Sequence, residues 1–335
     1  MKKLNAIMVG VGHDHAHDTF SYLTSEDSSF NLLGVVLVEK DEDNYATYKK
    51  DYNQIKMFSL EEALNTKDLD AVFVECDDTL LSKYAKMFAE KKINIHMDKP
   101  GSQIKEEFDE VVNICKKNST VFHLGYMYRY NPSIKEALRL YHSNAIGKIL
   151  YIEAQMNIYH PCKKRKWLSS FKGGMMNFLG CHLIDVIVSF LGKPDSVISY
   201  NTKSEIGVGE DISFAILKYG NYFSTVNSTA IEIDGFSRRH IVIVGEKATI
   251  EIAPTEIFMD GKLYSRSAYK TIGDNRLIAP GVREYGPTHR YKDMFEEFAS
   301  ICRKEIENPY SYDYEIMVHD VLLAACQDYG KEIKL

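Results

Sequence analysis

The stretch "VGVGHDHAHD" at residues 9–18 sets three histidines and two aspartates directly behind two glycines. Two chemistries fit those residue types. His13 and His17 stand four apart, a spacing that puts two imidazoles on one helix face, where they can chelate a metal. Alternatively, Gly10 and Gly12 end an apolar run. Glycines there permit a tight turn and close backbone approach to the phosphates of a dinucleotide, with the next helix presenting its N-terminus to the anion. The third glycine of a G-x-G-x-x-G turn falls on His15, so that fingerprint is incomplete. The metal reading needs a further ligand, yet no carboxylate or cysteine elsewhere carries a recognisable partner spacing, and the ion would fill the turn meant for phosphates. We therefore expect a cofactor turn and no metal. The histidines should be largely neutral, because a helix N-terminus disfavours positive charge.

Other residues extend this reading. Glu39, in "VVLVEKDED", follows the second apolar run. A carboxylate there accepts hydrogen bonds from an adenosine ribose diol and repels a 2′-phosphate, favouring NAD, while the adjacent Lys40 leaves NADP open. Lys99-Pro100 lies in "NIHMDKPGS" at the end of an apolar run, where doubly wound sheets bind ligands. His182 lies in "GCHLID", with Asp185 three residues on along the same helix face. A neutral imidazole suits removal of an alcohol proton, and a lysine ammonium stabilises developing alkoxide charge. Taken alone, His182 on an apolar helix reads first as a core histidine, and Lys99 as a surface lysine before a turn proline.

The elements that must position these residues fall into two textures. Up to about residue 124, apolar runs at Leu4–Val9, Leu32–Val38, Ala71–Val74, Ile93–Met97 and Thr120–Leu124 alternate with helical stretches. One such stretch is "LLSKYAKMFAEKK", with Leu81, Tyr84, Met87 and Phe88 on one face. Another, "SLEEAL", opens with a capping box of Ser59 and Glu62. The pattern is that of βαβ units and a parallel sheet. After Pro132 come a helix over about 133–142, a strand near "GKILYIEAQMNIY" and an apolar helix over about 178–191. Strand-like stretches follow, with Ile212, Phe214 and Ile216 alternating and Gly220-Asn221 as a hairpin turn. Two helical segments, about 289–305 and 312–330, close the chain. The fold class is α/β: a Rossmann domain at 1–124, then an α+β domain with an open, mostly antiparallel sheet at 125–335. The closing helix is free to pack back on the first domain.

"GYMYRYNP" (125–132) and "GGMMNFLGCHLIDVIVSFLGKP" (173–194) join the motifs above in an order and spacing that span the chain. With "DAVFVE", "IGKILYIEA" and "VGEKATIEI", the sequence resembles the glucose–fructose oxidoreductase / inositol dehydrogenase / MocA (Gfo/Idh/MocA) family of pyridine-nucleotide oxidoreductases. The resemblance implies an NAD cofactor, with NADP as the variant. It implies cofactor contacts from Gly10, Gly12, His13, Asp14, His15 and Glu39, and from Cys76, Asp77, Lys99, Pro100, Arg129 and Trp167. Lys99 and His182 match the family's catalytic lysine and histidine, with Asp185 as their candidate helper. Tyr126, Tyr128, Asn177 and Phe178 would face the substrate. The chain also departs from the family. Phe178 stands where an aspartate is usual, four residues before the histidine. Cys76-Asp77-Asp78 replaces a Thr-Pro-Asn loop, Leu81 the histidine after it, and Leu168 an arginine. The loop "HPCKKRKW" then offers a reader for an anionic substrate group.

Composition bounds the rest. Hydrophobic residues make up 45% of the 335 and charged residues 26%, ordinary for a globular chain long enough for two domains. The net charge of −6 argues against a nucleic-acid partner, and no apolar run approaches the roughly 20 residues of a membrane span. "MKKLNAIMVGVG" imitates a secretory leader, but its apolar part is short and runs into "HDHAHD", so we expect a strand there. Six scattered cysteines read as reduced thiols of a cytoplasmic protein. The expected function is hydride transfer to or from a CH–OH group of a sugar, cyclitol or related small molecule, in a homodimer or homotetramer. Two alternatives are a non-catalytic nucleotide-binding sensor and a redox-assisted lyase or glycosidase with no net NADH.

Overall fold

The apolar runs of the first half become strands β1 (Leu4–Val9), β2 (Phe30–Val36), β3 (Met57–Phe58), β4 (Ala71–Val74), β5 (Asn94–Met97) and β6 (Phe122–Leu124). They pair in parallel in the order β3-β2-β1-β4-β5-β6. The computed structural model describes residues 2–204, 209–260, 262–273, 276–277 and 281–335. Every residue of β4 is fully buried, as a parallel strand covered on both faces must be. Helices α1 (Ala16–Leu23), α2 (Glu42–Tyr52), α3 (Leu60–Leu64), α4 (Leu81–Glu90) and α5 (Lys105–Asn118) alternate with the strands. The capping box of α3 forms as expected: the Ser59 hydroxyl accepts from the Glu62 amide and the Glu62 carboxylate from the Ser59 amide. In α4, Leu81, Tyr84 and Phe88 are buried, while Met87 sits at the edge of that face.

The second half builds α6 (Pro132–His142), β7 (Ile149–Gln155), α7 (Cys162–Trp167), α8 (Cys181–Leu191), β8 (Ser196–Thr202), β9 (Ile212–Tyr219) and β10 (Tyr222–Thr229). Strands β11 (His240–Gly245), β12 (Ala248–Ile252), β13 (Ile257–Met259), β14 (Lys262–Gly273), β15 (Arg276–Leu277), β16 (Gly281–Thr288) and, at the end of the chain, β17 (Glu332–Lys334) complete an eleven-stranded sheet. Its main order is β13-β14-β12-β11-β7-β10-β9-β8-β17. The β7–β10 pair is parallel and its neighbours antiparallel. Gly220, with φ +61°, and Asn221 turn β9 into β10 with Tyr219 opposite Tyr222. Alternation in β9 holds. Ser213, Ala215 and Leu217 are buried, whereas Ile212, Phe214 and Ile216 lie half-buried on the opposite face.

By its internal contacts the chain divides into two units, Met1–Met127 with Tyr291–His319, and Tyr128–Arg290 with Asp320–Leu335. Helix α9 (Lys292–Cys302) therefore belongs to the parallel-sheet unit, and α10 (Tyr312–Ala325) begins there. Phe295 and Phe298 of α9, three residues apart on one face, are fully buried and set their rings 5.3 and 5.6 Å from that of Phe73. Among the described residues no helix is long and apolar enough to cross a membrane.

Candidate functional site

In the first unit, the glycine turn is shaped by space. Gly10 has φ +82°, and a Cβ on it would lie 2.4 Å from that of Cys76; a Cβ on Gly12 would lie 2.9 Å from the Asp77 amide nitrogen. Cys76, expected to touch the cofactor, is fully buried under this turn and supports it. His15 occupies the N-cap of α1, and the missing third glycine is answered by Ala16, fully buried at the first helical position. The amides of the turn are partly engaged within the protein, that of His13 donating to the Glu75 carbonyl at 2.9 Å. Asp14 is exposed.

Glu39 lies just beyond β2, and both Lys83 and Tyr84 of α4 donate to its carboxylate. The Lys83 bond first, and the Tyr84 bond second, pull its pKa down to about 2. These two clamps were not foreseen; their signal was their place on α4, whose start abuts the Cys76 loop in sequence. Lys40 donates to Asp77 at 3.0 Å. Asp41 receives the Val38 amide at 2.7 Å, and burial pushes its pKa up to about 6.

Lys99 is fully buried beyond the carboxyl end of β5, and the Lys99–Pro100 peptide is cis. Its amide donates to Asp98 Oδ1 at 2.6 Å, and its carbonyl lies 3.1 Å from His13 Nε2. Behind Pro100, Gly101 (φ +113°) leaves room for Phe108, and His319 of α10 reaches the Ser102 carbonyl at 2.7 Å. Tyr126, also fully buried, follows β6.

The three histidines do not act together. His17 turns to Asp51 (3.0 Å) and stacks on Tyr48, whereas His13 and His15 both face Asp98, at 3.2 and 3.0 Å. Their expected neutrality needs correction for one of them. Burial opposes charge on His13, but Asp98 and then Asp78 outweigh it and hold its pKa well above the ordinary value; burial prevails at His15, whose pKa falls. At His13 the effect of the helix N-terminus is outweighed by Asp98, a buried carboxylate 85 residues away in sequence.

In the second unit, a π-helical turn (Met176–Gly180) leads into α8, where His182 is buried with its ring 5.1 Å from that of Tyr128, edge to face. The Tyr128 hydroxyl donates to Glu256 at 2.7 Å and receives Arg239 at 3.2 Å, so its ring is fixed beside the imidazole. Arg290 holds the other side of Glu256 through two bonds. Asp185 is buried and grips Arg129, with Nε at 3.0 and 3.1 Å and one terminal nitrogen at 2.7 Å. Thus Arg129, expected at the cofactor, and Asp185, expected beside His182, form one buried pair.

Asn177 is buried, with Cys326 Sγ 4.0 Å from its side-chain oxygen. Phe178 packs in an apolar cluster with Leu168, Phe171, Met175 and Ala230. Trp167 meets its ring at 5.3 Å, and Lys164 Nζ lies 3.6 Å from the Trp167 ring centre. Of the basic loop, Arg165 turns inward to Asp211 at 3.4 Å.

Residues 4–126 match the oxidoreductase family with an NAD-binding Rossmann fold, and residues 134–251 match the GFO/IDH/MocA C-terminal domain. The chain is 24% identical to trans-1,2-dihydrobenzene-1,2-diol dehydrogenase of Xenopus tropicalis, over 68% of this chain and 71% of that one. It is 20% identical to 2,7-anhydro-N-acetylneuraminate hydratase of Mediterraneibacter gnavus, over 75% and 68%. Its fold matches that of WlbA dehydrogenase from Bordetella pertussis, solved with NADH and UDP-GlcNAcA, with TM-score 0.77 and 17% identity over 100% and 99% of the two chains. The glycine turn, which admits no Cβ, and the Glu39 carboxylate fit the dinucleotide that the family binds. This chain belongs to the Gfo/Idh/MocA family of NAD(P)-binding oxidoreductases.

Proposed function

We propose that the chain interconverts an alcohol and a carbonyl at a CH–OH carbon of a sugar, cyclitol or related small molecule, with NAD preferred over NADP. The observation that carries this reading is Lys99, a lysine with 0% exposure beyond the carboxyl end of β5, in the region where doubly wound sheets hold their ligands. When bound, the nicotinamide supplies the hydride acceptor or donor. The protein's own residues do the rest. Gly10 and Gly12 let backbone approach the phosphates, and Glu39 accepts from the ribose diol. The Lys99 ammonium steadies negative charge on the substrate oxygen, and the His182 imidazole takes or returns the hydroxyl proton. The Arg129–Asp185 pair and Tyr128 hold α8 and its imidazole in place. Lys99→Ala and His182→Asn should each lower kcat by about 10²–10⁴-fold, while calorimetry still detects cofactor binding. Turnover retained in both variants would overturn these roles.

Phe178 favours a second reading. With a phenyl ring in place of the usual carboxylate, the protein either forms product without net NADH, as a redox-assisted lyase or glycosidase does, or binds nucleotide as a sensor. Assays that follow product and nicotinamide absorbance together separate the three. From the half-buried apolar face of β9 we also infer a homo-oligomer, and from the six scattered cysteines a reducing, cytoplasmic setting.

A further inference from the structure

His13, His15 and Asp98 form a donor set that hydride transfer leaves unexplained. His13 Nδ1 and His15 Nδ1 lie 3.2 and 3.0 Å from the same oxygen, Asp98 Oδ2, and each of the three residues has a donor atom within 4.8 Å of the others'. A tetrahedral ion with bonds of about 2.0–2.1 Å separates its ligands by about 3.3 Å, so two edges of such a site are already near length. The surroundings fit as well. His13 Nε2 points to the Lys99 carbonyl at 3.1 Å, with Asp78 Oδ1 at 3.6 Å. A metal-bound histidine anchors its remote N–H in this way, which turns the Nδ1 lone pair toward the ion. Asp98 Oδ1 accepts the Lys99 amide at 2.6 Å and lies 3.2 Å from His15 Nδ1, while Oδ2 is the oxygen that both histidines approach.

Two further facts call for positive charge at this point. His13 Nδ1 lies 3.2 Å from the His15 amide nitrogen and 3.2 Å from Asp98 Oδ2, so it meets the carboxylate either as a proton donor or through a cation. Two acceptors at that distance repel unless a proton or a cation lies between them. Independently, Glu75 is fully buried against Asp98; its Oε1 receives Thr19 at 3.1 Å, but Oε2 meets no hydrogen-bond donor among the described residues. Two buried acids in contact cannot both ionise without compensation, so they keep a proton between them or take up a cation.

We propose that His13 Nδ1, His15 Nδ1 and Asp98 Oδ2 bind one divalent transition-metal ion of the zinc class, with Glu75 as the balancing carboxylate. Imidazole donors select this class over calcium or magnesium, which take oxygen ligands. His15 is 14% exposed and marks the way in. The ion ties the glycine turn after β1 to the end of β5, beside the place the proposed function gives to the dinucleotide phosphates; its binding is read without cofactor, so its failure and that of the hydride reading stay distinguishable.

The test is calorimetric titration of the EDTA-treated full chain with Zn²⁺, backed by the visible spectrum of the Co²⁺ form. One equivalent of Zn²⁺ should bind, with the Co²⁺ spectrum of a low-coordinate nitrogen–oxygen site. His15→Asn should weaken binding by about a hundredfold, and His17→Asn should not change it. Apo melting temperatures of both variants separate loss of ligand from loss of fold. Absence of Zn²⁺ binding by folded wild type, undiminished binding in folded His15→Asn, equal loss in His17→Asn, or equally tight Ca²⁺ binding would each overturn the proposal.

Discussion

Asp41 sits at the N-cap of α2 beside the glycine turn, and burial lifts its pKa to about 6 from an ordinary value of 3.8. Between about pH 4 and pH 6 the folded chain therefore keeps a proton that the unfolded chain has released. Stability attributable to this group falls as pH rises through that window, by about 3 kcal/mol in all. Asp41→Asn removes the titration, so melting curves should show the variant gaining on wild type as pH rises from 4 to 6; a constant gap would refute the assignment. Asp185 teaches a related lesson. Its spacing from His182 was legible, but its partner Arg129, 56 residues away, was not. Sequence separation hides ion pairs because chain distance carries no information about which buried charges must meet.

At the scale of elements, the turn from Met176 to Gly180 decides how the family's missing carboxylate is replaced. Phe178 is 5% exposed within its apolar cluster, and Trp167 covers it edge to face. Truncation there removes a large buried ring. Phe178→Ala should lower unfolding free energy by about 3–5 kcal/mol, read from chemical denaturation, and Phe178→Asp should destabilise at least as much without creating activity. An aspartate variant that folds normally and turns over faster would show instead that the position faces substrate. Strands, the capping box of α3 and the Gly220-Asn221 hairpin were readable because each is set by local period or turn chemistry. The π-helical start of the α8 segment was not, since nothing in a run of apolar residues distinguishes it from a regular helix.

Across the whole molecule, β9 sets its larger apolar side chains on its less buried face. Ile212, Phe214 and Ile216 stay half-buried, with Ile198 and Tyr200 of β8 paired to Ile216 and Phe214. This half-buried apolar stripe is where we place the proposed contact with a second subunit. Ile216→Lys should shift sedimentation from oligomer to monomer while changing the melting temperature of the protomer little; a monomeric wild type would remove the inference. The sequence by itself determined the two-part architecture, the parallel sheet with its glycine turn and Glu39, and the Lys99 and His182 candidates, because periodicity and short motifs are local properties of the chain. Only the tertiary structure decided which buried charges meet, His13 and His15 with Asp98 and not with His17, and Arg129 with Asp185; it also set the exposed Glu39 against Lys83 and Tyr84. It also brought Phe295 and Phe298, from near the end of the chain, against Phe73 of β4. Those pairings follow from packing distant elements side by side, and burial then requires each charge so enclosed to find its opposite.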